Sequence, residues 1–317
     1  MVALGLLLAF ACGGGGPEGE ETTPTIGASA TAPAASVTPP SGDNEPAGKI
    51  AFISFRDVNR EIYLINADGS GETNLTKDPG NDFNPDWSPD GSTIVFVSDR
   101  GDDVDLYTMD ADGSDVRRLT TQGGGLSPRW SPDGSQIAFA RGGDIWVVNA
   151  DGSDERLVLA DEPEETAAPC RAGMFPGGWS PDGSRISYYS ASVSRAQGQA
   201  CTVAVDGSDV QVVVDIPSVY SVEPAWSPDG KYLAFRSIRD GNHDIYIVDV
   251  KTKEEQRLTT DDATDVEPQW SPDGEWITFA SSRFGTTTDI FIMRKDGSDV
   301  RRLNTDPAKD SEPVWAP

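Results

Sequence analysis

The five-residue string Trp-Ser-Pro-Asp-Gly occurs five times in this chain, and that repeat restricts the fold more than any other feature. A sixth copy, shortened to Trp-Ala-Pro, ends the sequence. The six tryptophans are 43 to 49 residues apart: Trp87, Trp130, Trp179, Trp226, Trp270 and Trp315. A period in the forties is typical of four-stranded propeller blades, although helical repeats of similar length exist. The sequence pattern inside one repeat must therefore decide between propeller blades and helical repeats.

Residues 270–303 show that pattern. Pro-Asp-Gly predicts a tight turn, because proline fixes φ and glycine accepts the left-handed conformation. The segments EWITFASS and DIFIMR are rich in β-forming residues, and KDGSD after them contains a second turn signal. The following VRRLN is more charged, as the edge strand of a sheet usually is. Each repeat therefore predicts a four-stranded antiparallel meander without a helix.

The arrangement of the copies predicts a closed ring. The second and third strands occur six times each as nearly continuous apolar runs, which suits strands covered on both faces by neighbouring sheets. The repeats begin with a second strand, KIAFIS, and end with a first strand, EPVWAP. We therefore predict an all-β, six-bladed β-propeller over residues 49–317. Its C-terminal strand should lie beside Ile50–Ser54 and close the ring by a 3+1 arrangement, which removes open sheet edges.

The repeated pattern WSPDG…IAFxS…DIYxMxxDGS…RRLT resembles the β-propeller repeats of the TolB family, a WD40-like class, across residues 49–317. Similar blades occur in the propellers of prolyl oligopeptidase-type peptidases and in oligogalacturonate lyases, so the motif is specific for the fold and not for the function. The resemblance implies a periplasmic protein of the Tol–Pal envelope system with an α/β domain before its propeller. In this sequence we expect a tether in the place of that domain.

The N-terminus predicts export. Residues 2–11 are apolar but too few to span a bilayer, and they fit the apolar region of a signal peptide. The AFAC-GGGG sequence resembles the lipobox and tether of a bacterial lipoprotein. We therefore expect residues 1–11 to be cleaved and Cys12 to carry a lipid. Ala9 stands where leucine is usual, and no Lys or Arg precedes the apolar run, so a secreted protein and an uncleaved anchor are the alternatives.

Residues 12–48 are rich in Gly, Pro, Ser and Thr and contain almost no large apolar side chain, which predicts a disordered tether. Export into an oxidising compartment predicts a disulfide between Cys170 and Cys201, with two free thiols as the alternative.

The charge balance bears on the partner. The chain has 25 Lys and Arg residues against 52 Asp and Glu residues, a net charge of −27. This charge argues against nucleic acid and against anionic membrane surfaces, so the lipid on Cys12 is the expected membrane contact. It serves either solubility alone or the attraction of a basic partner.

Catalytic and metal signals are weak. The chain has one histidine, His243, and no G-x-S-x-G motif, so it lacks the parts of a Ser-His-Asp hydrolase. One histidine cannot supply zinc ligands or the histidine-rich cluster that the lyase resemblance implies. The DADGSD-type segments look like calcium loops but coincide with the predicted turns, so we predict no cofactor, with Ca²⁺ as the alternative. An enzyme acting on polysaccharide or peptide through funnel carboxylates, or a sensor of a small ligand or ion, remains the alternative function.

The longer loops point to a binding face. In a meander, the loops after the second and fourth strands share one face, and variable loops on a rigid ring usually carry binding. Two acidic loops lie there, residues 160–178 and 260–269. The predicted partner-binding residues are Asp161, Glu162, Glu164, Glu165, Phe175, Asp261, Asp262, Asp265 and Glu267. We therefore expect a non-enzymatic, monomeric binding or scaffold protein, periplasmic or at the cell surface, with a basic protein or peptide partner; solvated loops without a partner are the alternative.

Overall fold

The computed structural model describes residues 45–162, 168–192, 197–216 and 224–317. In these ranges the chain forms 24 strands in six four-stranded antiparallel sheets, and no described segment forms a helix that could cross a membrane. The strands are β1 Lys49–Ser54, β2 Glu61–Asn66, β3 Thr73–Asn74, β4 Asp82–Trp87, β5 Thr93–Ser98, β6 Asp105–Asp110, β7 Arg117–Arg118, β8 Leu126–Trp130, β9 Gln136–Arg141, β10 Asp144–Asn149, β11 Arg156–Leu159, β12 Met174–Trp179, β13 Arg185–Ser192, β14 Gln197–Ala204, β15 Gln211–Ile216, β16 Ala225–Trp226, β17 Tyr232–Ser237, β18 Asp244–Asp249, β19 Glu255–Arg257, β20 Asp265–Trp270, β21 Trp276–Ser281, β22 Asp289–Arg294, β23 Arg301–Arg302 and β24 Asp310–Trp315.

The six sheets are the blades of a propeller. Blade 1 has the order β24-β1-β2-β3, and blades 2 to 6 are formed in sequence order by β4–β7, β8–β11, β12–β15, β16–β19 and β20–β23. The first strands of successive blades contact one another around the ring. The six-bladed fold predicted from the repeats is thereby confirmed.

Closure occurs in blade 1, between the two ends of the propeller. Strand β24 pairs antiparallel with β1, with Trp315 opposite Ile50 and Asp310 opposite Ser54. The predicted 3+1 closure beside Ile50–Ser54 is therefore confirmed.

The core consists of six apolar clusters, each between two neighbouring blades. Alternate residues of one strand belong to different clusters. Ile50 and Phe52 of β1 pack toward Trp276 in blade 6, whereas Ala51 and Ile53 pack toward blade 2. Since successive side chains of a strand point to opposite faces, a strand covered on both faces must be apolar throughout. This explains the continuous apolar runs of the sequence.

The tight turns face one end of the ring and lock neighbouring blades together. Gly113, in the Asp-Gly-Ser turn of blade 2, has a φ of +86°, and a Cβ there would lie 2.5 Å from the carbonyl oxygen of Leu75 in blade 1. The turn glycines of blades 1, 3, 4 and 6 meet the preceding blade in the same way. The shortened last repeat takes the same place, because Pro317 lies 3.6 Å from the point that a Cβ on Gly91 of blade 2 would occupy.

Candidate functional site

The opposite end of the ring, here called the long-loop face, carries the loops that connect second to third strands and blade to blade. Five of these loops begin with an arginine that lies over the aromatic rings of its own blade. Arg100, for example, has its guanidinium carbon 5.3 Å from the ring centres of both Phe96 and Tyr107. The five residues are Arg56, Arg100, Arg141, Arg239 and Arg283. Their role is not evident from the repeat motif, and they were not predicted as functional residues.

Three of these arginines bind a buried aspartate at the start of a first strand. Nη2 of Arg283 lies 2.7 Å from Oδ2 of Asp265, and Nη2 of Arg100 lies 2.7 Å from Oδ2 of Asp82. Arg56 and Asp310 make the corresponding pair in blade 1, at 3.2 Å. Asp265 is 0% exposed. Its expected place in an acidic rim is therefore wrong, because its carboxylate holds the start of β20 against a loop.

A second set of buried aspartates starts third strands and bonds within its own blade. In blade 5, Oδ2 of Asp244 accepts from Nη2 of Arg257 at 2.6 Å. Burial raises the pKa of Asp244, while Arg257 lowers it. In blade 2, Asp105 pairs with Arg118 and accepts from the Thr120 hydroxyl. These carboxylates are structural parts of the blades.

Glu267 lies in the central channel. Together with Asn84, Ser127 and Glu312 it has a positive φ of 50° to 58° at the same position of a first strand. The side chains link blade to blade. The Glu312 N–H donates to Oε2 of Glu267 at 2.6 Å, and the Asn84 N–H donates to Oε2 of Glu312 at 2.6 Å. Glu267 therefore faces the channel and not the loop rim where it was predicted.

The channel is narrow at this level. Arg129 is 7% exposed, and its Nε donates to the carbonyl oxygen of Gly177 at 3.0 Å. A Cβ on Gly177 would lie 2.4 Å from the carbonyl oxygen of Pro224, so this position of β12 requires glycine. A cavity of about 10 Å³ lies among the described residues Asn84, Arg129, Glu267 and Glu312. That is roughly the space of one water molecule.

Two of the partner-binding residues predicted between blades 3 and 4, Asp161 and Glu162, accept hydrogen bonds from backbone N–H groups of the same loop. Oδ1 of Asp161 accepts from the Gly173 N–H at 2.8 Å, and Oε2 of Glu162 accepts from the Ala168 N–H at 3.0 Å. Phe175 is partly buried in β12, opposite Tyr189, and not in the loop where the sequence placed it. Glu164 and Glu165, like Cys12 and the predicted signal peptide, lie outside the described residues.

Cys170 and Cys201 form a disulfide, with 6.0 Å between their Cα atoms. Cys170 belongs to the loop that follows blade 3, and Cys201 lies in β14 of blade 4. Both side chains are buried at the interface of these blades. The bridge therefore anchors the longest loop of the long-loop face to a strand.

An accessible combination of charge and apolar surface lies on blade 6. Asp262 is exposed and Asp261 partly exposed, in the loop before β20. Both line an open groove of about 540 Å³ together with Ala263, Ser282, Arg283 and Gly285. Next to this groove in the chain, Phe284 is 67% exposed. We call Asp261, Asp262, Phe284 and this groove the blade 6 rim.

Phe284 is fixed in its exposed position. Its ring stacks on Phe291, with centres 5.9 Å apart and planes 8° apart, and the Arg302 guanidinium lies 5.1 Å from its centre. In blades 1 and 5 the corresponding residues are Asp57 and Asp240, which accept from the hydroxyls of Tyr63 and Tyr246. Aligning the six repeats would have revealed this change from an Asp–Tyr pair to a Phe–Phe pair.

His243 is partly buried, and its Nδ1 has no hydrogen-bond partner. Burial, with a smaller contribution from Arg236, lowers its pKa. No group of three or more His, Cys, Asp or Glu side chains is arranged to hold a metal ion within the described ranges.

Fold and repeat pattern together define a β-propeller of the TolB class. The model of the TolB beta propeller domain matches residues 28–170 and 171–317, so the chain belongs to this family.

The proteins that are similar to this chain have names that indicate different functions. An uncharacterized peptidase of Bacillus subtilis, YuxL, is 29% identical over 220 residues, which is 64% of this chain and 31% of that protein. The crystal structure of TolB from Acinetobacter baumannii has a TM-score of 0.72 at 21% identity, over 86% of this chain and 68% of that one. An oligogalacturonate lyase from Vibrio parahaemolyticus has a TM-score of 0.52 at 15% identity, over 82% and 75%. The chain spans less than a third of the curated relatives' length.

Proposed function

We propose that this protein is a non-enzymatic binding or scaffold protein of the cell envelope, and that the blade 6 rim binds a basic segment of a partner protein. The exposed, stacked ring of Phe284, in the loop whose residues Ser282, Arg283 and Gly285 line a groove with the exposed Asp262, is the observation that carries this proposal.

A rigid aromatic side chain suits this role because it loses little conformational entropy on binding, and such residues often dominate binding energy. Stacking on Phe291 already restricts the Phe284 ring. Asp261 already pairs with Arg283 at 2.6 Å, so the exposed carboxylate of Asp262 is the group that favours Lys or Arg in the partner. A net charge of −27 adds long-range attraction for a basic segment.

The proposed location rests on the N-terminal sequence. The apolar residues 2–11 and Cys12 support export and a lipid anchor, in the periplasm or at the cell surface. The family match supports the same compartment, since a Tol-Pal system protein TolB of Syntrophus aciditrophicus is 52% identical over 44 residues, which are 14% of this chain. The buried disulfide Cys170–Cys201 also suits an oxidising compartment.

The test compares two double variants of the full chain. Phe284→Ser with Asp262→Lys alters the blade 6 rim. Val116→Ser with Glu254→Lys also replaces one apolar and one acidic side chain, at exposed residues near the tight turns on the opposite face. Cross-linked partners are captured from the native envelope, identified, purified and titrated against each form.

We expect a partner whose affinity falls at least about tenfold with the rim variant and stays unchanged with the control. Equal affinity for all three forms would refute the proposed site. If no form captures a protein, the proposal fails in favour of a small ligand or glycan.

A further inference from the structure

The outer strand of each blade has an edge with which none of the described strands pairs. In blades 1, 2, 5 and 6 this strand has only two or three residues, and three of the four carry arginine: β3, β7, β19 and β23. Strand β11 has four residues, and β15 of blade 4 has six, Gln-Val-Val-Val-Asp-Ile. Short length and positive charge prevent outer strands from pairing with other chains. Blade 4 lacks both protections.

Position 212 differs from the corresponding position of blades 2, 5 and 6, while blade 3 has Leu157 there in its shorter strand β11. Val212 pairs with Cys201 of β14, at the place where Arg118, Arg257 and Arg302 pair with their third strands. Each of those arginines binds an aspartate of its own blade. Val212 is 37% exposed, and the next residues, Val213 and Val214, are buried. The edge of β15 is therefore β-branched and uncharged at its centre.

We propose that β15 binds an extended segment of a partner protein by β-strand addition, as a fifth strand of blade 4. The six residues of β15 offer backbone donors and acceptors for such pairing on both sides of a bulge at Val213, where the register with β14 shifts. Its exposed flanks are acidic, with Asp209, which pairs with Arg185, before the strand and Asp215 near its end. The occupant is accordingly a segment with alternating β-branched residues and Lys or Arg at its ends. A second copy of this chain is disfavoured, because each copy carries a charge of −27.

The test uses a fluorescent heptapeptide, Lys-Val-Thr-Val-Thr-Val-Lys, titrated into the full chain by anisotropy. A second peptide of the same sequence carries N-methyl groups on alternate residues, which removes backbone donors and leaves the side chains. The variant Val212→Arg restores the arginine of blades 2, 5 and 6. Val300→Arg is the matched control, since Val300 is also 37% exposed but precedes the two-residue strand β23.

We expect the plain peptide to bind with a Kd below about 1 mM and to slow hydrogen exchange in residues 211–215. Binding should weaken about tenfold or more with Val212→Arg, be lost on N-methylation and be unchanged with Val300→Arg. Absence of binding, or equal binding of the methylated peptide, would overturn the proposal. Concentration-dependent dimers that disappear with Val212→Arg would replace the partner with a second copy. This edge is separate from the blade 6 rim, so either proposal can fail alone.

Discussion

Glycine in the Asp-Gly-Ser turns satisfies two separate requirements. The turn needs a positive φ, which glycine adopts without steric strain. The neighbouring blade needs the space of the missing Cβ, because the carbonyl oxygen of Leu75 approaches Gly113 closely. A sequence shows the first requirement through its turn motif. It cannot show the second, which arises only when the blades pack.

We predict that Gly113→Ala lowers the free energy of unfolding by about 2–4 kcal/mol, because backbone strain and an inter-blade clash add up. Gly142→Ala is the control. Gly142 has a φ of +63°, but no neighbouring atom lies within 4 Å of the point that a Cβ would occupy. Chemical denaturation of both variants measures the difference. A loss of stability no larger for Gly113→Ala than for Gly142→Ala would contradict the packing requirement.

Strand starts show what the sequence could and could not predict. The apolar strands follow directly from their alternation and turn motifs. The first residues of the first strands are polar, so the sequence predicts that they belong to loops. Asp265 and Glu267 are examples, although both lie in β20, which begins at Asp265. Their roles depend on Arg283 and Glu312, which are far away in the sequence. Phe284 differs from these cases, because its stacking partner Phe291 is only seven residues away and an alignment of the repeats shows the change from Asp57 and Asp240.

In blade 4 the first strand has the same length as β4 and β20 and the same one-residue bulge, since its register shifts between Pro176 and Gly178. Its sequence ends in Pro-Gly-Gly-Trp. These turn-like residues and the long acidic segment before the strand make Phe175 look like a loop residue in the sequence. Because β12 begins at Met174, that boundary could be fixed only by strand pairing.

Asp310 starts β24 and should make stability depend on pH. Burial raises its pKa to about 6, despite hydrogen bonds from Ser54 and Asn304 and the charge of Arg56. The folded state therefore keeps this proton between about pH 4 and pH 6, where the unfolded chain has lost it. For this group, stability is highest below about pH 4 and falls as pH rises to about 6.

We predict that the difference in unfolding free energy between wild type and Asp310→Asn falls by on the order of 1–3 kcal/mol from pH 4 to pH 7. Denaturant titrations across this range measure it. The control is Asp306→Asn, which removes a partly exposed carboxylate 3.9 Å from the same guanidinium of Arg56. A difference that stays constant with pH for Asp310→Asn would contradict the prediction.

At the scale of the whole molecule, stability depends on closing the ring. Each apolar cluster needs two blades, so no blade can bury its surface alone. Strand β24 contributes more than backbone pairing. Trp315 belongs to the cluster between blades 6 and 1, and Glu312 connects Glu267 to Asn84 in the channel. Strand β24, the last strand of the chain, therefore connects blade 1 with blade 6 on one side and with blade 2 on the other.

We predict that a chain ending at Lys309 loses cooperative unfolding and aggregates, since blade 1 then lacks its first strand and β1 exposes an apolar edge. A synthetic peptide of residues 309–317, added during refolding, should restore a single cooperative transition by pairing with β1. The control peptide replaces Trp315 with Ala, which keeps the backbone pairing but removes the buried indole, a loss of about 3–5 kcal/mol. Calorimetry and sedimentation measure both outcomes. If the truncated chain unfolds cooperatively without any peptide, closure by β24 does not determine the stability of the ring.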